Sequence, residues 1–113
     1  MSKREAKLYI QDIKDSIKKI QGYIKGLDFG DFIKNNEKID AVVRNLTIIG
    51  EAANNIPKEI KTKYSDIEWR KMIGMRNKIT HEYFGIDEDI LWKTITEDIL
   101  PLKKQIIKLL KSL

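Results

Sequence analysis

Cysteine is absent from the sequence, and histidine occurs once, at position 81. Without cysteine the chain forms no disulfide, no iron–sulfur cluster and no thiolate zinc site, and it has no cysteine nucleophile. One histidine rules out a histidine-rich metal site within a single copy of the chain. No apolar run reaches the roughly 18 residues that a membrane helix needs, and the first residues show no signal-peptide pattern. These absences predict a cytoplasmic protein without a membrane segment.

Positive charge exceeds negative charge along the chain. Lysine and arginine number 22 against 17 acidic residues, which gives a net charge of +5. A basic protein attracts polyanions such as RNA through Coulomb forces and the release of counterions. The same composition is typical of helical proteins whose lysines only keep the outer faces solvated. Charge alone therefore leaves contact with nucleic acid open.

The spacing of apolar residues predicts helices almost throughout. Apolar residues recur every three or four positions, the pattern of a helix with one buried face. Such runs lie at residues 10–27, 39–56, 65–84 and 87–113, and we find no strand-like alternation or internal repeat. Short connections between these helices favour an antiparallel arrangement. We expect an all-α antiparallel bundle of four to five helices, folded as one domain over residues 1–113.

The ends of the first two helices are marked by residues that favour turns. Gly26 and Gly30 break the helical pattern after the first helix, whose apolar face ends at Leu27, and Asp28 or Asp31 can cap the helix that follows. Pro57 ends the second helix because the residue before a proline is pushed out of the helical region. A proline also tolerates the first position of a helix. A short helix is therefore predicted from Pro57 to about Tyr64.

Similar signals predict the bounds of the last two helices. Ser65 or Asp66 is the expected cap of the third long helix, which Gly85 ends. Asp87 and the acidic residues after it favour the start of the last helix, where they complement its dipole. Pro101 lies inside the apolar run of that helix. It predicts a kink or a break near residues 98–100.

The third predicted helix carries polar residues where an apolar stripe is expected. Residues 69–85 read WRKMIGMRNKITHEYFG, and at about 100° per residue they form two neighbouring rows. The first row is Met72, Arg76, Ile79 and Tyr83, and the second is Arg70, Gly74, Asn77 and His81. A guanidinium in the apolar row needs partners, because an uncompensated charge away from water is costly. Gly74 leaves room for a backbone or a ligand to approach.

These side chains suit phosphodiester chemistry on RNA. A histidine titrates near neutrality, so His81 can accept the proton of a ribose 2′-hydroxyl or donate one to the leaving 5′-oxygen. Arg76 offers a planar, permanently charged fork for a phosphate, and Asn77 can orient the phosphate or the imidazole. Such a reaction needs no metal. One histidine cannot be both acid and base, and a two-fold dimer would supply the second.

Each of these residues also has a purely structural interpretation. A lone histidine near a helix C-terminus is often stabilised there by the helix dipole, so His81 need not be catalytic. Arg76 can form an ion pair with Glu51 or with an acidic residue on a partner helix. Tyr83 and Phe84 can be packing residues. From the residue pattern alone, both interpretations remain open.

The segment from Arg76 to Tyr83, RNKITHEY, resembles the Arg–polar–x–x–x–His–x–Tyr motif of the HEPN superfamily and of its HepT-like toxin branch. The flanking residues 69–74 and 84–85 resemble the same branch. So does the segment 49–53, IGEAA, in the second helix. The resemblance extends over nearly the whole chain in length and in the order of elements. No motif position departs from the family pattern.

The resemblance implies a helical-bundle homodimer whose two motifs face a shared cleft. It also implies a metal-independent endoribonuclease without a cofactor, with Arg76, Asn77 and His81 as its catalytic residues. The expected partner is a minimal nucleotidyltransferase antitoxin, as in type VII-like toxin–antitoxin pairs, which transfers AMP onto the motif tyrosine, here Tyr83. AMP would bring negative charge and bulk to the place where an RNA phosphate should lie.

Two other functions compete with an RNA-cleaving toxin. The chain can be a non-catalytic partner or substrate-binding subunit of a nucleotidyltransferase, which predicts modification at Tyr83 without RNA turnover. It can also be a basic RNA-binding or scaffold protein, which predicts salt-sensitive binding that does not depend on His81. The latter leaves the arginine of the apolar row unexplained. Cleavage of RNA by the isolated protein separates the first function from the other two.

Overall fold

The computed structural model of the protein describes residues 1–82 and 87–113, and their side chains outside residues 80–82. All regular secondary structure in these residues is helical, which confirms the predicted all-α class. None of these helices is long and apolar enough to cross a membrane. The elements are α1 Lys3–Ile24, α2 Phe29–Ile33, α3 Asn36–Asn55, α4 Lys58–Lys63, α5 Trp69–Glu82, α6 Glu88–Lys93, a π-helical turn Thr94–Asp98 and α7 Ile99–Ser112.

The long helices are arranged around α3. Helix α3 packs against α1 on one side and α5 on another, and α1 also packs against α7. The apolar stripe of α1 is buried as its spacing predicts. Its buried apolar side chains are Ala6, Ile10, Ile13, Ile17 and Ile20. Each buried isoleucine contributes about 1.5–3 kcal/mol, so α1 is a main support for the α3 surface that holds α5.

The connections at the two ends of α3 follow the predicted signals in part. Gly26 adopts a φ of 77°, a left-handed conformation that favours glycine. Asp28 Oδ1 accepts a hydrogen bond from the Asp31 N–H at 2.7 Å and so caps α2. At the other end, Ile56 is extended, with φ −74° and ψ 135°, and Pro57 stands directly before α4. The predicted end of α3 at Pro57 is thus confirmed. The predicted break at Gly30 is wrong, because Gly30 lies inside α2, a short helix that the apolar spacing did not predict. Asn35 caps α3, since its Oδ1 accepts from the Lys38 N–H at 3.1 Å.

Helix α5 begins later than the sequence pattern predicts. Ser65 and Asp66 lie in a turn and do not cap the helix, which starts at Trp69. The reason is that apolar side chains are buried where the helix starts. Ile67, before the helix, is 4% exposed, and Trp69, its first residue, is 5% exposed. The indole Nε1–H of Trp69 also donates to the Tyr64 carbonyl at 3.1 Å. These contacts hold residues 64–68 against the core in a non-helical turn, so the helix starts only at Trp69. The predicted end of this helix, at Phe84 and Gly85, lies outside the described residues.

The last helical segment is interrupted before Pro101. Asp87 caps its start, since Asp87 Oδ1 accepts from the Asp89 N–H at 2.8 Å and the Ile90 N–H at 3.2 Å. The predicted break takes the form of a π-helical turn, Thr94–Asp98, and α7 starts at Ile99. Pro101 therefore lies in the first turn of α7. A missing N–H is tolerated there, as it is not inside a helix.

Candidate active site on helix α5

Helices α3 and α5 come into unusually close contact at Gly50. A Cβ atom at Gly50 would lie 2.8 Å from the Met72 carbonyl oxygen and 2.9 Å from Arg76 Cγ, and it would overlap Arg76 Cβ. Any side chain at position 50 would therefore push α5 away. The first carbons of Arg76 consequently rest on the backbone of α3.

The guanidinium of Arg76 is held by the residue after Gly50. Arg76 Nη1 lies 2.9 Å from Glu51 Oε1, and the two side chains are 22% and 53% exposed. The ion pair foreseen as a structural alternative is thus present. It explains how an arginine fits the apolar row, because its carbons pack on α3 and its charge meets a carboxylate near the surface. Ion pairs this exposed contribute about 1 kcal/mol or less to the free energy of unfolding. The contact therefore matters more for the position of the guanidinium than for the stability of the fold.

The two predicted rows of α5 differ in burial. In the first row, Met72 and Ile79 are 5% and 4% exposed, with the mostly buried Arg76 between them. In the second row, Arg70, Gly74 and Asn77 are all exposed. Arg76 faces α3, and Asn77 is exposed about 100° further round the helix. A single copy therefore divides the proposed catalytic side chains between two sides of α5.

His81 lies in the last turn of α5, four residues after Asn77, so its backbone shares the Asn77 edge of the helix. The side chain of His81, and Tyr83 as a whole, lie outside the described residues. The structure thus brings Arg76 and Glu51 together. That His81 and Tyr83 lie close to Arg76 stays a prediction.

The close approach expected at Gly74 of α5 occurs instead at a glycine of α3. The sequence suggested that Gly74 leaves room for a neighbour, yet no heavy atom of the described residues lies within 4 Å of a Cβ placed there. Gly50 is where a backbone comes near. Gly50 follows the buried Val43 by seven residues, on the same apolar face of α3. A glycine inside an apolar helical stripe is the signal that could have found this crossing.

An apolar groove lies between α5 and α7 and was not foreseen. It has a volume of about 400 Å³, with a floor from α3 and walls from α5, α6, the π-helical turn and α7. The side chains that carry its apolar character are Leu46, Ile49, Met72, Met75, Ile90 and Leu102. A phosphodiester needs cationic or N–H donors, and among the described residues that line this groove only Lys71 is basic.

The rim of the groove carries charges of both signs. Lys71 Nζ lies 3.0 Å from Glu68 Oε2, and the hydrogen bond and charge of Glu68 raise the pKa of Lys71. The remaining charged lining residues, Glu97 and Asp98, are acidic. Among the described residues, no group of three or more His, Asp or Glu side chains is placed to hold a metal ion.

Comparisons with a family model and with individual proteins point to the same family. A family model described as ribonuclease HepT-like matches residues 13–109. The chain is 44% identical over 109 residues to a probable ribonuclease HepT of Thermococcus cleftensis, covering 96% of this chain and 99% of the relative.

Two further relatives, both named as a putative RNase, come from other organisms. The one from Methanocaldococcus jannaschii is 40% identical and covers 94% of this chain and 97% of the relative. The one from Caldanaerobacter subterraneus subsp. tengcongensis is 41% identical, with coverages of 92% and 93%. No solved structure matches the chain.

Proposed function

Because the chain belongs to the ribonuclease HepT-like family, we propose that it is a metal-independent endoribonuclease toxin whose reaction is carried out by Arg76, Asn77 and His81. The observation that supports this most is the placement of Arg76. Gly50 and Glu51 of α3 fix an arginine of the motif at a helix crossing, with part of its side chain exposed. A charge held in place before the substrate arrives stabilises a phosphate better than a mobile one.

In the proposed reaction His81 accepts the proton of a ribose 2′-hydroxyl, and the 2′-oxygen attacks the adjacent phosphorus. The bond from phosphorus to the 5′-oxygen breaks, and that oxygen takes up a proton. The products are a 2′,3′-cyclic phosphate and a 5′-hydroxyl. Arg76 compensates the charge that develops on the phosphate, and Asn77 orients the phosphate or the imidazole.

The proton for the leaving oxygen has to come from a second acid. One chain supplies one histidine, and Arg76 and Asn77 lie on different sides of α5. We therefore propose a homodimer in which the motifs of two copies face one cleft, so that one histidine acts as base and the other as acid.

RNA cleavage with EDTA present is the direct test. The wild-type protein should cleave RNA and leave cyclic phosphate ends, and His81→Ala and Arg76→Ala should each lose at least about a hundredfold in rate. Circular dichroism should show that both variants keep their helical content. Full activity in either variant would remove that residue from the mechanism, and loss of activity in EDTA would remove metal independence.

Regulation of this activity forms the second part of the proposal. We propose that a minimal nucleotidyltransferase acts as antitoxin in the cytoplasm and attaches AMP to the hydroxyl of Tyr83. Intact-mass analysis after incubation with that enzyme and ATP should show added AMP in the wild type and none in Tyr83→Phe. The modified protein should no longer cleave RNA, because charge and bulk occupy the phosphate site.

The ion pair between Arg76 and Glu51 keeps a non-catalytic function in contention. It accounts for an arginine in the apolar row without any reaction. A partner subunit of a nucleotidyltransferase would accept AMP at Tyr83 and show no RNA cleavage above that of His81→Ala. The two experiments above therefore separate this alternative from the toxin.

A further inference from the structure

Positive charge is concentrated where α1 and α7 lie side by side. Helix α7 contains four lysines and no acidic residue, whereas residues 87–98 just before it contain five acidic residues and one lysine. The contact between the two helices is itself marked by a lysine, since Lys103 Nζ donates to Gln21 Oε1 of α1 at 2.9 Å. This bond fixes which edge of α1 faces α7.

The edge of α1 that faces α7 is lined by lysines. Lys18, Lys14 and Lys7 precede Gln21 by three, seven and fourteen residues, spacings that place all of them on the Gln21 edge. The acidic residues of α1 mostly follow a different row. Glu5 and Asp12 are seven residues apart and lie further round the helix, whereas Asp15 is three residues before Lys18 and lies at the border of the lysine edge.

Helix α7 continues the same charged surface. Lys104, Lys108 and Lys111 are all exposed, and their spacing of four and three residues places them in one row. That row begins next to Lys103, which contacts α1. We name the combined surface of Lys7, Lys14, Lys18, Lys104, Lys108 and Lys111 the lysine face. Within the described part of the chain, no carboxylate lies in ion-pair distance of these six ammonium groups.

We propose that the lysine face binds the sugar–phosphate backbone of an RNA strand outside the cleavage site. This inference rests on the proposed function in taking RNA as the substrate. A solvated surface needs no clustering of one charge, yet Lys7, Lys14 and Lys18 share one edge of α1 and the adjoining α7 contains no acidic residue. The α7 row spans about 10 Å and the α1 row about 16 Å at the helical rise of 1.5 Å per residue, enough to follow several phosphates. Point charges on flexible stems bind phosphates without reading sequence.

The test measures RNA binding by a triple variant and a matched control. Lys104→Gln, Lys108→Gln and Lys111→Gln are combined in one protein, and Lys19→Gln, Lys34→Gln and Lys58→Gln in another. The control lysines are exposed and lie off the lysine face, so both proteins lose the same charge. Each carries His81→Ala to prevent cleavage. Binding of a fluorescein-labelled single-stranded RNA of about 30 nucleotides is followed by anisotropy between about 50 and 200 mM salt.

We expect the lysine-face variant to bind at least about tenfold more weakly at low salt. The slope of log affinity against log salt should become shallower by about 2, because three phosphate contacts are lost at about 0.7 each. The control should change less than about threefold, and Lys→Arg at the three α7 positions should restore binding. Equal weakening in both triple variants, or an unchanged slope, would overturn the proposal. So would lost binding to phosphatidylserine vesicles with RNA binding intact, since the face would then serve a membrane surface.

A cleavage assay keeps this inference separate from the catalytic one. With His81 restored, the lysine-face variant should cleave the long RNA more slowly while cleaving a fragment of about four nucleotides as fast as the wild type. Equal slowing on both substrates would overturn the lysine face as a binding surface. Failure of the wild type to cleave either RNA would overturn the proposed reaction. The binding measurement would still show whether the lysine face binds RNA.

Discussion

Gly50 and Arg76 control the distance between α3 and α5 at the level of single residues. The Arg76 side chain begins on the α3 backbone because Gly50 has no Cβ, and it ends on the carboxylate of Glu51. Adjacent residues of α3 therefore set both ends of one side chain. A change at either residue should act on Arg76 before it acts on the rest of the core.

Gly50→Ala should destabilise the protein by about 1–3 kcal/mol, because the new methyl group overlaps Arg76 and the Met72 carbonyl. Gly74→Ala is the matched control, since that glycine is also helical but has open space around its Cβ position. The control should be neutral or gain up to about 1 kcal/mol from better helix propensity. Urea unfolding measures both. Equal effects of the two substitutions would show that α3 and α5 are not in close contact at Gly50.

Glu51→Gln should reduce kcat for RNA cleavage roughly tenfold while changing stability by less than about 1 kcal/mol. The substitution keeps the shape of the side chain but removes the charge that holds the Arg76 guanidinium. Glu59→Gln on α4, also exposed, is the control and should leave both quantities unchanged. Cleavage rates and urea unfolding are measured on the same preparations. If stability falls as steeply as activity, the role of Glu51 is structural and not one of positioning.

At the level of elements, the last helical segment depends on its cap. Asp87 Oδ1 accepts two backbone N–H groups at the start of α6, so Asp87→Ala should cost about 1 kcal/mol. Asp12→Ala, an exposed change in the middle of α1, should stay within about 0.5 kcal/mol. Urea unfolding midpoints provide the comparison. An Asp87→Ala variant as stable as the wild type would mean that water replaces the cap without cost.

Elements fixed by neighbouring residues were predictable, whereas those fixed by distant contacts were not. Pro57 and Asp87 act on the backbone within a few residues, and the helix boundaries assigned to them are confirmed. Asp28 is also a cap, but of α2, a short helix that the apolar spacing did not predict. The start of α5 depends on burial of Ile67 and Trp69 in a core built from other helices. The residues around position 65 do not show which side chains the other helices will bury. The expected cap at Ser65 or Asp66 was wrong for that reason.

The same division applies to the candidate site. The motif identified the helix and the family, and the pairing of Arg76 with Glu51 was foreseen as one alternative. The crossing at Gly50 joins residues 26 positions apart in sequence, and only tertiary packing brings them together. The catalytic roles of Arg76, Asn77 and His81 and the modification of Tyr83 stay predictions, because they concern a substrate, a partner and a second copy of the chain.

For the whole molecule, the arrangement of Arg76 and Asn77 on different sides of α5 makes subunit mixing informative. If each cleft needs histidines from two copies, an equal mixture of wild type and His81→Ala should retain about a quarter of the wild-type activity after exchange. Independent copies would retain about half. RNA cleavage after denaturation and joint refolding measures this fraction, and sedimentation confirms the dimer. A value of one half would place a complete site within one chain.

The π-helical turn makes the length of the final segment as important as its composition. Ile99 N–H donates to the Thr94 carbonyl five residues earlier, so this turn contains one residue more than an α-helical turn. Leu91, Ile95 and Ile99 are all buried despite two successive spacings of four, because the wide turn absorbs the excess rotation. Deleting one residue, for example Thr96, would leave a turn of α-helical length, so α6 and α7 should keep their relative orientation and Leu91 should stay buried. A further inserted residue cannot be absorbed in this way and would rotate α6 by about 100° relative to α7. We therefore expect a single deletion between Thr94 and Asp98 to be tolerated better than a single insertion, which urea unfolding of the two variants would show.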